Sequence, residues 1–217
     1  MRGKRMGTTI LSVRIIPNAD PMLLARLEVP EGHRSLGIFT SDCDDVSYAA
    51  LDEATKKAMV TVVYARSMYA GAGNASTALA GEFIGILSAE NPAEIRSGLE
   101  AAIDYCENDA SFYSANDDDS IVYFAHTISR TGTYLSKVAE VPEGTAMAYL
   151  IAPPLEAMVG MDAALKAADV ELKTFYGPPS ETNFAGGLLV GDQAACRAAC
   201  EAFAETICDI ADAPTTY

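Results

Sequence analysis

Glu28-Val29-Pro30-Glu31-Gly32 returns in the second half of the chain as Glu140-Val141-Pro142-Glu143-Gly144. The copies lie 140 − 28 = 112 residues apart in a chain of 217, close to half its length. Self-similarity at one spacing marks a repeated structural unit, so neighbouring segments should show the same offset. Upstream, Leu11–Ile16 (LSVRII) stands opposite Tyr123–Ile128 (YFAHTI), again 112 apart. Both have the branched and aromatic content of short strands. Each leads into a short helical stretch that ends at its EVPEG copy. In the first half Asp20-Pro21 opens that stretch, a capping carboxylate followed by proline at the first helical position.

Downstream the order is kept. Ser35–Thr40 (SLGIFT) matches Ala146–Ile151 (AMAYLI), two compact apolar strands. Helices LDEATKKA (Leu51–Ala58) and MDAALKAA (Met161–Ala168) follow, with Asp52 and Asp162 110 apart. Strands VTVVYA (Val60–Ala65) and VELKTF (Val170–Phe175) come next. Tyr69 and Tyr176 are 107 apart, and Ala80-Gly81 and Ala185-Gly186 are 105 apart. That last pairing makes Gly187 the counterpart of Glu82. Each half closes on a long helix, from Asn91-Pro92 to about Glu107 and from Asp192 to about Asp212. In the second, Ala195, Ala199, Phe203, Ile207 and Ile210 recur at helical spacing and predict one buried face. A declining offset with unchanged order is the expected outcome of tandem duplication with small deletions. Each half reads strand, short helix, strand, helix, strand, strand, helix, an α+β pattern. The domain boundary is expected between residues 1–115 and 116–217, in the polar stretch SANDDDS (Ser114–Ser120), which has linker composition.

Half the residues are hydrophobic, enough for a packed core. The formal net charge of −15 argues against nucleic acid and against an anionic lipid surface. No stretch reaches membrane-span length. The N-terminal run MRGKRMGTTILSVRII resembles a signal peptide only superficially, because Arg14 interrupts its apolar part; a cytoplasmic protein is expected. The five cysteines are odd in number. Cys196, Cys200 and Cys208 share one helical face and read as small packing residues, so no metal ligand set is expected. His33 and His126 lack metalloprotease spacing or a nucleophile elbow. GAGNAS (Gly71–Ser76) lacks the lysine of a phosphate loop. No catalytic residue and no cofactor is expected.

SVRIIPN (Ser12–Asn18), ALDEATKKAMV (Ala50–Val60), SMYAGAG (Ser67–Gly73), MAYLIAPPLEA (Met147–Ala157) and PPSETNFAGGLLVGDQAACRAAC (Pro178–Cys200) together resemble the tandem-domain shell proteins of bacterial microcompartments, of the ethanolamine-utilisation type. The likeness runs from about residue 10 to 210. It implies two tandem, circularly permuted shell (BMC) domains, each a small, mainly antiparallel sheet with helices packed on it. The strand ending in IIPN opens the domain here, where an ordinary shell domain carries its equivalent late; the second copy has Ser129 in place of the proline. The resemblance further implies a flat homotrimer forming a pseudohexagonal tile, other shell proteins as partners, and a place in a microcompartment shell within the cytoplasm. Small molecules would pass through a gated pore. The pore loops would be Tyr69, Ala70, Gly71, Ala72, Gly73 and Asn74 in one half, and Tyr176, Gly177, Pro178, Pro179, Ser180, Glu181, Thr182 and Asn183 in the other. The glycines permit unusual backbone angles and the paired prolines stiffen the second loop.

The same resemblance points to ethanolamine as a ligand that stabilises the closed form, held by Asp45, Glu82 and Phe112 with Asp44 beside them. Carboxylates suit the ammonium and hydroxyl, and an aromatic face suits a cation. Asp44 reads equally as a carboxylate serving a helix start. Glu82 is the charged residue of an otherwise apolar strand, AGEFIGIL. Lys56 and Lys166, duplicate-equivalent at 166 − 56 = 110, are the tile-edge candidates, or else ordinary solvated lysines. The alternative is a soluble small-molecule-sensing regulatory module built from two ferredoxin-like domains.

Overall fold

The computed structural model describes residues 2–68 and 77–216. In chain order the elements are β1 (Arg5–Met6), β2 (Ile10–Ile16), α1 (Pro21–Arg26), β3 (Ser35–Ser41), α2 (Asp44–Lys57), β4 (Thr61–Ser67), β5 (Phe83–Ala89) and α3 (Pro92–Asp104), which runs into a π-helical turn (Tyr105–Asp109). Then come β6 (Phe112–Ser114), β7 (Val122–Ile128), α4 (Thr133–Val138), β8 (Ala146–Ala152), α5 (Pro154–Ala167), β9 (Glu171–Tyr176), β10 (Ala185–Gly191) and α6 (Gln193–Asp212).

The repeated pentapeptide is a helix stop joined to a turn. Glu28 and Glu140 both adopt left-handed backbone, at φ 52° and 54°. Val29 N donates to Leu24 O at 3.1 Å and Val141 N to Ser136 O at 2.9 Å, the six-to-one bond that closes a helix C-terminus. Gly32 and Gly144 follow at φ 88° and 83°, in turns closed by His33 N to Pro30 O at 3.1 Å and Thr145 N to Pro142 O at 3.3 Å. The chain is thus delivered from α1 into β3 and from α4 into β8 by the same device.

The contacts divide the chain into two compact units. One comprises Thr8–Ala110 and Gly132–Leu135; the other comprises Met1–Gly7, Ser111–Thr131 and Ser136–Tyr217. The first holds a four-stranded antiparallel sheet of order β2-β3-β5-β4. Helices α2 and α3 pack on it, over a core that includes Phe39, Leu51, Phe83, Leu87 and Ile95, while Leu36 and Ile86 cluster with Ala19. The second holds a six-stranded antiparallel sheet of order β1-β6-β7-β8-β10-β9, with α5 and α6 against it. Its core gathers Leu150, Met161, Leu189, Phe203 and Ile207 with Cys196, Cys200 and Cys208. The cysteines therefore pack as apolar groups, and burial pushes the Cys200 thiol up to about 11.

Three features depart from the sequence reading. Strands β1 and β6 are additional: Arg5 pairs with Tyr113 and Met6 with Phe112. SANDDDS, of linker composition, folds as a closed turn between β6 and β7. The Asn116 side chain accepts from Ser120 N and Ile121 N, so polar composition here supplies the turn's own hydrogen bonds. The third departure is the last offset. Ser35 pairs with Ala89 and its counterpart Ala146 with Gly191, so β10 trails β5 by 191 − 89 = 102 residues. Gly81 and Asn183, also 102 apart, both have left-handed backbone, at φ 63° and 66°. The counterpart of Glu82 is therefore Phe184, not Gly187; a chance Ala-Gly pair in the shorter second loop suggested the wrong register.

Candidate functional site

The candidate carboxylates gather where β3 gives way to α2. Asp44 and Asp45 form the first turn of α2 and are buried, at 7% and 6% exposure. Cys43 occupies the capping position without a side-chain cap bond. Asp44 Oδ1 accepts from Asp45 N at 2.9 Å, so this carboxylate already serves the helix start. The Ser41 and Ser47 hydroxyls lie 2.6 Å apart and both lie within reach of Cys43 O, at 3.0 and 2.7 Å; one donates to that carbonyl and accepts from the other, which ties the loop together.

Glu82 is tied to the same corner through its backbone. Its N donates to Ser41 O at 2.9 Å, and its carbonyl accepts from Met68 N at 2.7 Å. Burial raises the Glu82 carboxyl above its ordinary range, and the nearby charges of Asp44 and Asp42 raise it further. Like charges this close oppose one another's ionisation. A cation entering among them removes that opposition, which is the chemistry the cluster offers.

Two groups were not singled out from the sequence. The Tyr48 hydroxyl lies 2.9 Å from Ser67 Oγ, one turn along α2 from the carboxylates. Burial raises the Tyr48 phenol; the Ser67 bond counters this, and Asp44 and Asp45 add to it. Asp42, two residues before the helix, is the second group. Its Oδ1 accepts from Thr9 N at 2.7 Å, and its charge acts on Glu82. The signal for Tyr48 was its spacing of three and four from Asp45 and Asp44, which places it on their helix face.

Asp44, Asp45 and Glu82 thus come together within one unit. Phe112 belongs to the other unit, in β6. Its ring stacks on Phe124 at 5.3 Å and meets Phe184 edge-on at 5.8 Å.

Of the loop residues, Tyr69, Ala70, Gly71, Ala72, Gly73 and Asn74 lie outside the described residues. The second loop is described. Tyr176 ends β9 with its ring 6.3 Å from Tyr149, and Gly177 leads into Pro178 and Pro179, joined by a cis peptide. Ser180 to Phe184 then form a closed turn: Ser180 N donates to Phe184 O at 2.8 Å and Asn183 N to Ser180 O at 3.0 Å, with Glu181 and Thr182 at its tip. The lysines differ. Lys56 lies 2.5 Å from Glu53 and 3.7 Å from Asp52, its side chain 25% exposed; Lys166 lies 2.6 Å from Asp162, its side chain 74% exposed. Among the described residues, no group of three or more His, Cys, Asp or Glu side chains is arranged to hold a metal ion. No helix among them is long and apolar enough to cross a membrane.

Residues 35–116 match the BMC domain family. The bacterial microcompartment shell protein EutL of Clostridium perfringens is 60% identical over 217 residues, 100% of both chains. The chain belongs to the EutL family of bacterial microcompartment shell proteins. The EutL shell protein of Salmonella typhimurium is 50% identical over 206 residues, covering 95% of this chain and 94% of its own. The crystal structure of ethanolamine utilization protein EutL from Leptotrichia buccalis matches at 64% identity and TM-score 0.97, over 100% of both chains. The fold is accordingly that of two tandem BMC domains. The EutL family is a shell family and not an enzyme family, so its role is structural, in the microcompartment shell. That displaces the sensor alternative.

Proposed function

We propose that three copies of this chain form a pseudohexagonal tile whose central pore passes small molecules of ethanolamine utilisation. The observation that carries the reading is the duplication itself. Two domains of one grammar per chain supply six similar wedges from three chains, and a cyclic arrangement closes without leaving an unmatched edge. Ser67–Ala80 and Tyr176–Phe184 are the pore loops of this reading. Lys166 is well disposed for contact between neighbouring tiles, because its side chain is open to solvent. Lys56 is more enclosed and serves its own helix as well. Light scattering on the purified chain is expected to give about three times the 22.9 kDa chain mass. A mass of one chain at high concentration overturns the tile.

Ethanolamine is the proposed ligand of Asp44, Asp45 and Glu82, with Phe112 carried over from the family pattern. Support comes from the raised Glu82 carboxyl, held among like charges that an ammonium group neutralises. The Tyr48 and Ser67 hydroxyls add hydrogen-bonding partners suited to an alcohol. Binding stabilises the closed form to the extent that it is tighter there. Calorimetric titration should show Glu82→Gln binding ethanolamine at least tenfold more weakly than wild type, the order of one charge-assisted hydrogen bond. Affinity should also fall as pH is lowered through the raised Glu82 value. Equal binding by Glu82→Gln removes Glu82 from the site.

A further inference from the structure

We propose that the first unit binds a short aliphatic diamine at one end of its sheet, with Glu90 and Glu94 taking the two ammonium groups. The site lies where β3 and β4 begin and β5 ends. The corner of Asp44, Asp45 and Glu82 is at the opposite end of the same sheet, so this is a second site.

A cavity of about 350 Å³ opens there, within the range of small-molecule sites. Val60 gives it an apolar wall, and His33, Thr61, Asn91, Glu90 and Glu94 give it polar ones. The carboxylates enter from two sides. Glu90 Oε1 lies 3.9 Å from where a Gly32 Cβ would stand, at the approach to β3. Glu94 Oε2 accepts from Met59 N at 2.8 Å, at the approach to β4. Strands β3 and β4 flank β5, so two strand spacings, roughly 9–10 Å, separate those approaches. Carboxylates set so far apart do not close on a single ion. They suit two cationic ends joined by a methylene chain, with Val60 as apolar surface for the chain. Among the described residues neither carboxylate has a cationic partner; Lys56 and Lys57, in the last turn of α2, pair with Glu53.

His33 adds a third acceptor. Its Nδ1 lies 2.9 Å from the Ser88 hydroxyl, and Ser88 is fully buried in β5. That bond fixes the ring and leaves Nε2 for the cavity. With Nδ1–H donating to Ser88, Nε2 accepts from an ammonium N–H.

The second half of the chain is an internal control. Ser88 is replaced there by Val190, 102 residues on, and Glu94 by Ala195, 101 residues on. Thr145 follows the turn glycine where His33 does in the first half. Glu90 has no counterpart, because Ala89 and Asn91 correspond to the adjacent Gly191 and Asp192. The fold therefore needs none of the four, and their gathering around one cavity in one half alone is what a ligand explains.

The test is titration of the full chain with 1,4-diaminobutane, followed through the ring protons of its two histidines by nuclear magnetic resonance. His126 lies in the other unit, in β7, and is the built-in reference. The His33 signals should move saturably and those of His126 should not. Glu90→Gln should weaken binding at least tenfold, and so should replacing the diamine by 1-aminobutane, which has one charged end. Glu90 is exposed, so its substitution leaves the fold intact. Glu201→Gln, on the exposed side of α6, should change nothing. His33 signals that stay still at millimolar diamine, or that respond alike in Glu90→Gln, overturn the site. A loss shared equally by Glu90→Gln and Glu201→Gln overturns it in favour of general attraction to an acidic chain. None of these outcomes bears on ethanolamine at Glu82.

Discussion

Asp52 and Asp162 occupy the same place in two copies of one helix and live in opposite surroundings. Asp52 is fully buried and accepts two backbone N–H bonds from the start of α4. The Asp162 side chain is 62% exposed and meets Lys166 at 2.6 Å. Residue type and local sequence are nearly alike, so neither explains the difference. What differs is whether the partner segment is in place. The start of α4 needs an external carboxylate because Gly132 stands where α1 has Asp20, its own cap. A duplicated chain can thus keep a residue and change its purpose.

The largest effect should separate these two aspartates. Asp52→Ala leaves two buried N–H groups without an acceptor and should lower unfolding stability by about 3 kcal/mol. Asp162→Ala removes an exposed ion pair and should change it by less than about 0.5 kcal/mol. Urea unfolding of both, at one protein concentration, measures the difference. Similar losses at the two sites would break the comparison.

A pH series sharpens it. Burial raises the Asp52 carboxyl, against the Gly132 and Leu135 bonds and the Lys56 charge. A carboxyl raised by folding takes up its proton earlier in the folded chain than in the unfolded one. Its contribution is full below the unfolded value and is lost as pH rises through the folded value. The stability of wild type relative to Asp52→Asn should therefore grow as the pH is lowered from neutral. A slope of the opposite sign would mean that the N–H bonds and Lys56 outweigh burial. Next in size are the two helix starts. Gly132→Ala forces a Cβ to 2.7 Å from Asp52 O and should cost about 2 kcal/mol. Asp20→Ala loses only a local cap, worth about 1 kcal/mol. Thermal unfolding of the pair reads both, and a harmless Gly132→Ala would mean that α4 can shift away from α2.

The repeat made the order of elements legible, because each EVPEG copy encodes a complete device, a left-handed stop and a left-handed glycine. The acidic corner was legible as a run of like charges. Its hydroxyl partners were not, since Tyr48 and Ser67 meet only when β4 lies beside α2. The register of β10 escaped because loop deletions leave no local mark, and Ala-Gly is too short to fix an offset. Strands β1 and β6 escaped because two or three residues carry no period. The role of Asp52 escaped for a related reason: its partners are backbone N–H groups some 80 residues away, which side-chain chemistry does not announce.

The smallest expected effect concerns the lysines. Lys56 stands between Glu53 and Asp52, and its stem covers the start of α4, with Cγ 3.0 Å from where a Gly132 Cβ would be. Removing it exposes that packing and takes a cation from beside a buried carboxylate. Lys56→Ala should cost about 1 kcal/mol, and Lys166→Ala less than about 0.5 kcal/mol. If Lys166 works between tiles, its variant should retain the mass of three chains in solution and lose ordered sheets under the electron microscope. Lys56→Ala should reverse the emphasis, with the greater loss in unfolding. Two lysines 110 residues apart would then have divided one ancestral position between holding a chain together and holding chains beside one another. Equal effects in both measurements would assign them a common role and confine the divergence of the halves to Asp52 and the segment it caps.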